Sequence, residues 1–280
     1  MLISDLISLP QGSVSCLKNQ HKNAQTDILA IHGWLDNAAS FSPLIEQLPT
    51  YNWTAIDLPG HGHSFHRPNH AHYHFIDWVS DIVDLIRTNY EKPVTIVAHS
   101  LGGMLSTVIA GVYPELVERL VLIDAAGLIT QTDEDGAAAL RKALDSRTEQ
   151  GKKSRNTNLS FNTAVKARMM AGKLSKPAAE LLMSRNLSET SEGYIWCSDN
   201  RLRTRSPIRM QTSQARSIIN AITAPVMILL ANDGHDEIHQ SFHQYQDCYQ
   251  NLISMQISGG HHCHMENSAQ CAQLIAKFLK

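Results

Sequence analysis

Short uninterrupted runs of apolar, mostly β-branched residues alternate along the chain with stretches in which apolar residues return every three or four positions. The runs cover residues 28–31, 54–56, 94–97, 120–123 and 225–230, and an alternating stretch follows at 253–257. Continuous apolar runs predict strands buried on both faces, as in a parallel sheet covered by helices. Helical spacing is carried by Phe75, Val79, Ile82, Val83 and Ile86, by Met104, Leu105, Val108, Ile109 and Val112, and by Cys271, Leu274, Ile275 and Phe278. Strand, helix, strand, helix is the pattern of an α/β fold. Ligands of such sheets bind beyond the carboxyl ends of the strands. Polar or glycine-rich residues follow the runs at those ends: His32-Gly33, Asp57, His99-Ser100, Asp124 and Gly259-Gly260.

Residues 126–216 break the alternation. They read as short helices and loops, with helical stretches at 136–140, 164–170 and 177–183. The segment holds 16 Lys+Arg against 9 Asp+Glu, while the remainder holds 8 against 17. It is expected to be a helical cap (lid) inserted over the strand ends, with residues 1–125 and 217–280 forming the core. Its basic excess is either a solvated face or an attraction for an acidic substrate.

At 280 residues with 43% apolar content, the chain can bury a sizeable core. A formal charge of −2 gives no electrostatic case for binding nucleic acid. No apolar run approaches the roughly 18 residues of a membrane span, and Asp5 interrupts the first ten residues, so no secretory leader is expected. Five scattered cysteines without a CxxC pair suit reduced thiols and a cytoplasmic location. Nothing in the sequence fixes an oligomeric state.

The chemistry concentrates at Ala98-His99-Ser100-Leu101-Gly102-Gly103, which leaves a buried strand and opens a helix. That is the setting of a nucleophile elbow. A serine on so tight a turn needs small neighbours two positions before and after, because the strand and helix backbones nearly touch. Ala98 and Gly102 meet this, with one methyl more than the usual glycine at 98. The helix amino terminus favours developing negative charge. Serine needs an adjacent base. His261, after Gly259-Gly260 and before the last helix, fits the chain order, and its neighbour His262 is the rival. Two amides must hold the oxyanion. Leu101 follows the nucleophile, and Trp34 lies in the loop after residues 28–31. His99 is expected to line the pocket with them.

His32-Gly33-Trp34-Leu35-Asp36-Asn37, the Asp57-to-Ser64 stretch with its Gly-His-Gly turn, the Ser100 elbow and Gly260-His261 followed by Glu266 together resemble the α/β-hydrolase superfamily. Within it they are most similar to the serine hydrolase-like proteins. The resemblance covers about 150 residues, the sheet and its helices, and none of the inserted segment. It implies a mostly parallel eight-stranded sheet flanked by helices, an inserted helical cap, and a serine–histidine–acid triad with neither metal nor organic cofactor. In the superfamily the acid usually follows the strand at 225–230, about nine residues beyond the proline. That position here is Gly234. Asp233 and Asp236 lie beside it. Asp124 ends the preceding strand, where some relatives, such as a branch of the haloalkane dehalogenases, carry their acid. Asp124 is ranked first, and the other two remain open.

Histidines crowd two stretches, 61–74 and 261–264. The first holds no thiol or carboxylate between His63 and His74, so no metal is assigned. The expected function is therefore a serine hydrolase of a small acyl substrate, a carboxylic ester foremost. A C–C hydrolase, thioesterase or perhydrolase would use the same residues, and a weakly catalytic ligand-binding protein would follow if the acid were missing.

Overall fold

Residues along each central strand face two cores in turn. In β3 (Asp27–Ile31), Leu29 and Ile31 belong to one buried cluster while Ile28 and Ala30 belong to another. The same alternation runs through β5 (Val94–His99), β6 (Val117–Ile123) and β9 (Val226–Asp233). With a period of two, only a sheet covered on both faces makes a strand apolar throughout. The computed structural model describes residues 2–21, 24, 26–130, 136–151 and 158–280.

With β1 (Ile3–Leu9), β2 (Gly12–Lys18), β4 (Asn52–Ile56) and β10 (Leu252–Gly260), these strands form one eight-stranded sheet in the order β1-β2-β4-β3-β5-β6-β9-β10. The pairs β1–β2 and β2–β4 are antiparallel and the other five are parallel. The opening hairpin β1–β2 is absent from the periodicity reading. Its first four residues are exposed and its pattern is mixed, as on an edge. After β3 the chain goes first to β4 on one side and then to β5 on the other. The reversal opens a crevice at the carboxyl ends of β3 and β5, the usual ligand position in such sheets.

Helices α1 (Ser42–Gln47) and α10 (Ser268–Phe278) cover one face. Helices α2 (Phe75–Asn89), α3 (Leu101–Val112), α7 (Thr212–Asn220) and α8 (Asp236–Tyr245) cover the other. The expected boundary at residue 216 falls inside α7. That helix packs on α3, where a Cβ on Gly111 would lie 2.2 Å from the Ile218 carbonyl, so it belongs to the sheet's covering layer.

Between β6 and α7 come α4 (Gly136–Gly151), α5 (Phe161–Gly172), α6 (Lys176–Asn186) and a small hairpin, β7 (Leu187–Thr190) with β8 (Gly193–Trp196). They have their own small core, which Met265 of α9 (Cys263–Glu266) joins. Buried polar bonds fasten this segment to the sheet. Arg185 donates to both oxygens of Asp57 and to Ser15, and Asn37 donates to the Leu182 carbonyl at 2.9 Å. Among the described residues, no helix is long and apolar enough to cross a membrane.

Candidate active site

Ser100 stands between the end of β5 and the start of α3 with φ 50° and ψ −117°. A serine rarely adopts a positive φ, and such strain gathers at functional turns. The turn is held because the Ser100 amide donates to the Ile123 carbonyl at 3.2 Å, and the Ser100 carbonyl accepts from the Met104 amide at 3.2 Å. Space explains the residues around it. A Cβ on Gly102 would lie 2.2 Å from the Ile31 carbonyl oxygen, and one on Gly103 would lie 2.4 Å from Ala125 Cβ. The extra methyl of Ala98 is fully buried and tolerated.

The loop after β3 passes directly over this turn. The Asp36 amide closes it by donating to the Gly33 carbonyl at 3.2 Å, with Leu35 at φ 61°. A Cβ on Gly33 would lie 3.1 Å from Ser100 Cβ, so glycine allows the close approach. Trp34 and Leu101, the expected amide donors, thus sit on the loop and on the helix start that bracket Ser100. The amides of a first helical turn lack partners within the helix. The Trp34 side chain is half exposed, and its indole N–H donates to the Leu202 carbonyl at 3.0 Å.

Three side chains form a continuous hydrogen-bonded line. His261 Nε2 lies 2.9 Å from Ser100 Oγ, and His261 Nδ1 lies 2.6 Å from Asp124 Oδ2. The partners assign the tautomer: Nδ1–H donates to the carboxylate and Nε2 accepts from the hydroxyl. Burial is the largest influence on His261 and lowers its pKa, His99 adds to that, and Asp124 opposes it. The imidazole is therefore neutral and able to take a proton at pH 7.

Asp124 is fully buried, with φ 40°. Its amide donates to the Leu229 carbonyl at 2.7 Å, and its Oδ1 accepts from the Ala231 amide at 3.0 Å. The residue at the superfamily's common acid position makes room for it. A Cβ on Gly234 would lie 2.5 Å from Asp124 Oδ1. A side chain at 234 and this carboxylate would compete for one space. Asp233 and Asp236 do not reach the imidazole: both are exposed, Asp233 in register with Gly260 and Asp236 in the first turn of α8.

His99 departs from expectation. Instead of lining a pocket, it is fully buried beneath the His261 loop, its Nε2 donating to the His261 carbonyl at 2.8 Å. The strand's alternation points residue 99 away from the turn that exposes residue 100. His262, the rival base, is also buried. Its Nε2 lies 3.2 Å from Asp36 Oδ2 and 3.2 Å from an Arg168 nitrogen. Asp36 is the hub of this cluster, taking the guanidinium of Arg168 from α5. Burial opposes its ionisation, yet His262 and Arg168 hold its pKa well below the usual carboxylate range. Asp36, His99 and His262 bring possible ligand atoms within 4.8 Å of one another. Arg168 already supplies the positive charge at that carboxylate, so the cluster reads as a prop for the His261 loop. His264 is buried too, and Glu266 accepts from the Ser175 amide at 2.8 Å, tying α9 to the inserted segment. Sequence reading missed Asp36 as the hub and Gly234 as a space-maker. A carboxylate following His32-Gly33-Trp34 was the available signal for the first.

Comparison with known proteins agrees with this architecture. The family described as alpha/beta hydrolase fold matches residues 28–262. The "Serine hydrolase-like protein" of Danio rerio is 29% identical, over 90% of this chain and 81% of its own length. The "Probable serine hydrolase" of Drosophila melanogaster is 32% identical, over 98% of this chain and 86% of its own length. Among solved structures, a hypothetical protein of Pseudomonas aeruginosa aligns with a TM-score of 0.91 at 32% identity, covering 99% of both chains.

Proposed function

The chain belongs to the α/β-hydrolase fold family, and from that premise we propose that it is a serine hydrolase cleaving a small acyl compound, a carboxylic ester, through an acyl-enzyme on Ser100. The reading rests on one observation: the unbroken line Ser100 Oγ, His261 Nε2, His261 Nδ1, Asp124 Oδ2 at a strained strand-to-helix turn.

Ser100 Oγ attacks the carbonyl carbon while His261 takes its proton at Nε2. Asp124 holds the imidazole in the accepting tautomer and stabilises the imidazolium. The amides of Leu101 and Trp34 bind the oxyanion, and removal of one such donor typically costs ~10²–10³ in rate. The imidazolium then protonates the departing alcohol. In the second half His261 draws a proton from water, which attacks the acyl carbon, and the imidazolium returns that proton to Ser100 Oγ as the C–Oγ bond breaks, releasing the acid and neutral Ser100.

The inserted segment acts as a fixed cap in this reading, because Arg185, Arg168 and Asn37 fasten it beside the site. With Asp124 on His261, the motive for a catalytically weak binding protein falls away. The test is incubation with a series of p-nitrophenyl esters and with a fluorophosphonate probe. Turnover, with covalent label at Ser100 that Ser100→Ala abolishes, supports the hydrolase. Absence of both label and turnover across the series overturns it.

A further inference from the structure

The loop from Gly33 to Asn37 bends through Leu35 at φ 61°. A leucine in that conformation persists only where its surroundings fix it. The Asp36 amide, donating to the Gly33 carbonyl at 3.2 Å, closes the turn from within. The ties outward are made by side chains, and they reach the inserted segment at three separate elements. The Trp34 indole N–H donates to the Leu202 carbonyl at 3.0 Å, in the turn Asn200–Arg203. Asp36 takes the Arg168 guanidinium of α5. Asn37 Nδ2 donates to the Leu182 carbonyl of α6 at 2.9 Å. These partners lie 168, 132 and 145 residues further along the chain. A fourth link runs through Asp57: the Ala38 amide donates to its Oδ1 at 2.8 Å, and Arg185 of α6 donates to the same carboxylate.

Burial gives these bonds their weight. Asp36 and Asn37 are both buried, so water does not replace a lost partner. Asn37 uses both ends of its amide: Oδ1 accepts from the Ala39 amide at 3.0 Å and caps the turn Ala38–Phe41, while Nδ2 goes to α6. The loop so held passes close over the elbow, where a Cβ on Gly33 would lie 3.1 Å from Ser100 Cβ. It also carries the Trp34 amide, one of the two donors assigned to the oxyanion. Where the loop sits decides where that amide points, and a misplacement of about 1 Å at a reacting centre can cost ~10² in rate. The residues after His32-Gly33 in the motif thus gain a physical reason: each polar side chain among them is spent on the inserted segment.

We propose that the side chains of Trp34, Asp36 and Asn37 are positioning residues that tie the oxyanion loop to the inserted segment, so that the segment holds the Trp34 amide on the reacting carbonyl. The inference rests on the reading of Ser100 as nucleophile and of the Trp34 amide as oxyanion donor. Asp36 and Arg168 stay intact in the test, because Asp36 also meets His262 at 3.2 Å. Trp34→Phe removes the indole N–H, and Asn37→Ser removes the donor to Leu182 while keeping a capping oxygen. Neither alters a backbone amide. Asn158→Ala, which removes a bond to Glu192 within the inserted segment, is the control. Hexyl trifluoromethyl ketone probes the oxyanion site: Ser100 Oγ adds to its carbonyl carbon, His261 takes the hydroxyl proton, and the carbonyl oxygen becomes the oxyanion. Hexyl methyl ketone, far less prone to that addition, reports ground-state binding. Each site variant is expected to lower kcat on a p-nitrophenyl ester, and to weaken inhibition by the trifluoromethyl ketone, about tenfold, with KM and methyl ketone inhibition within about twofold of wild type. Amide hydrogen exchange at Asp36, Ala38 and Ala39 is expected to quicken about tenfold in both, and to stay unchanged in the control. Equal weakening of the two ketones, or kcat and trifluoromethyl ketone inhibition within about twofold of wild type in both variants, overturns the positioning role and leaves the hydrolase reading intact. If Asn37→Ser does not fold, Trp34→Phe decides alone. A wild-type protein with neither turnover nor label at Ser100 removes the hydrolase reading, and exchange then decides the tie: quickened exchange keeps it, and unchanged exchange overturns it.

Discussion

Asp124→Asn isolates the part of the site that sequence left most open. The substitution keeps the fold's own bonds, since an amide oxygen still accepts from the Ala231 amide where Oδ1 does now at 3.0 Å. What changes is the group facing His261 Nδ1. A carboxylate accepts there, whereas an amide NH₂ donates, so the ring must present its lone pair at Nδ1 and carry its proton on Nε2. Nε2 then faces Ser100 Oγ, now at 2.9 Å, as a donor and cannot take the hydroxyl proton. Loss of the orienting carboxylate in a serine triad costs about 10⁴ in kcat, or about 5 kcal/mol of barrier. The assay is steady-state hydrolysis of a p-nitrophenyl ester, with thermal melting to confirm an intact fold. Moving the acid extends the test. Gly234→Asp alone puts two carboxylates into one space, given the 2.5 Å separation of a Cβ there from Asp124 Oδ1, and is expected to lose activity and stability. Combined with Asp124→Gly it returns a carboxylate to His261 and recovers at least about tenfold over Asp124→Asn. The reasoning is refuted by an Asp124→Asn enzyme within about tenfold of wild type, or by a larger loss in Asp233→Asn or Asp236→Asn.

Four further outcomes follow from the packing and burial of named groups. Gly102→Ala drives a methyl to 2.2 Å from the Ile31 carbonyl oxygen, a backbone atom that cannot swing aside, and is expected to cost about 3 kcal/mol or more, read as a fall of at least about 6 °C in Tm. An unchanged Tm would show that the elbow relaxes freely. Arg185→Met leaves Asp57 buried without its guanidinium and should destabilise by about 3–5 kcal/mol in urea, partly recovered by adding Asp57→Asn; a loss under about 1 kcal/mol would refute a structural role for the pair. Acid should weaken the fold through its buried neutral histidines. Burial lowers His61 to about 3, so the unfolded chain gains a proton near pH 6.5 that the folded chain refuses until about pH 3. Stability contributed above pH 6.5 is lost as pH falls, about 2 kcal/mol by pH 5 from this group alone, and a flat stability between pH 7 and 5 would contradict it. The same sign at His261 places the acid limb of kcat/KM below pH 6.5.

Continuous apolar runs made the parallel strands β3 to β6 and β9 legible, because burial on both faces is written directly into composition, while β10, a largely exposed edge strand, was legible from its alternation. The elbow was equally readable, since only small residues fit where a strand and a helix nearly touch. Helices α7 and α8 were not read, for although Ala215 with Ile219 and Ile238 with Phe242 and Tyr245 return at helical spacing, each helix is short and carries few apolar residues; the hairpins β1–β2 and β7–β8 were not read because their mixed, largely exposed patterns resemble loops. The choice between His261 and His262 turned on one residue of chain direction. Successive side chains leave the loop on different sides, so the first meets Ser100 and Asp124 while the second meets Asp36 and Arg168.

By itself the sequence determined the sheet, the serine at its bend and the histidine loop, because local sterics and periodicity act over a few residues. Only the tertiary structure decided which carboxylate meets the imidazole and which charges surround it. Asp124 and His261 are 137 residues apart, and Asp124 joins His261 only because β6 and β10, parallel on either side of β9, end at the same edge of the sheet and Gly234, just after β9, leaves the space between them empty.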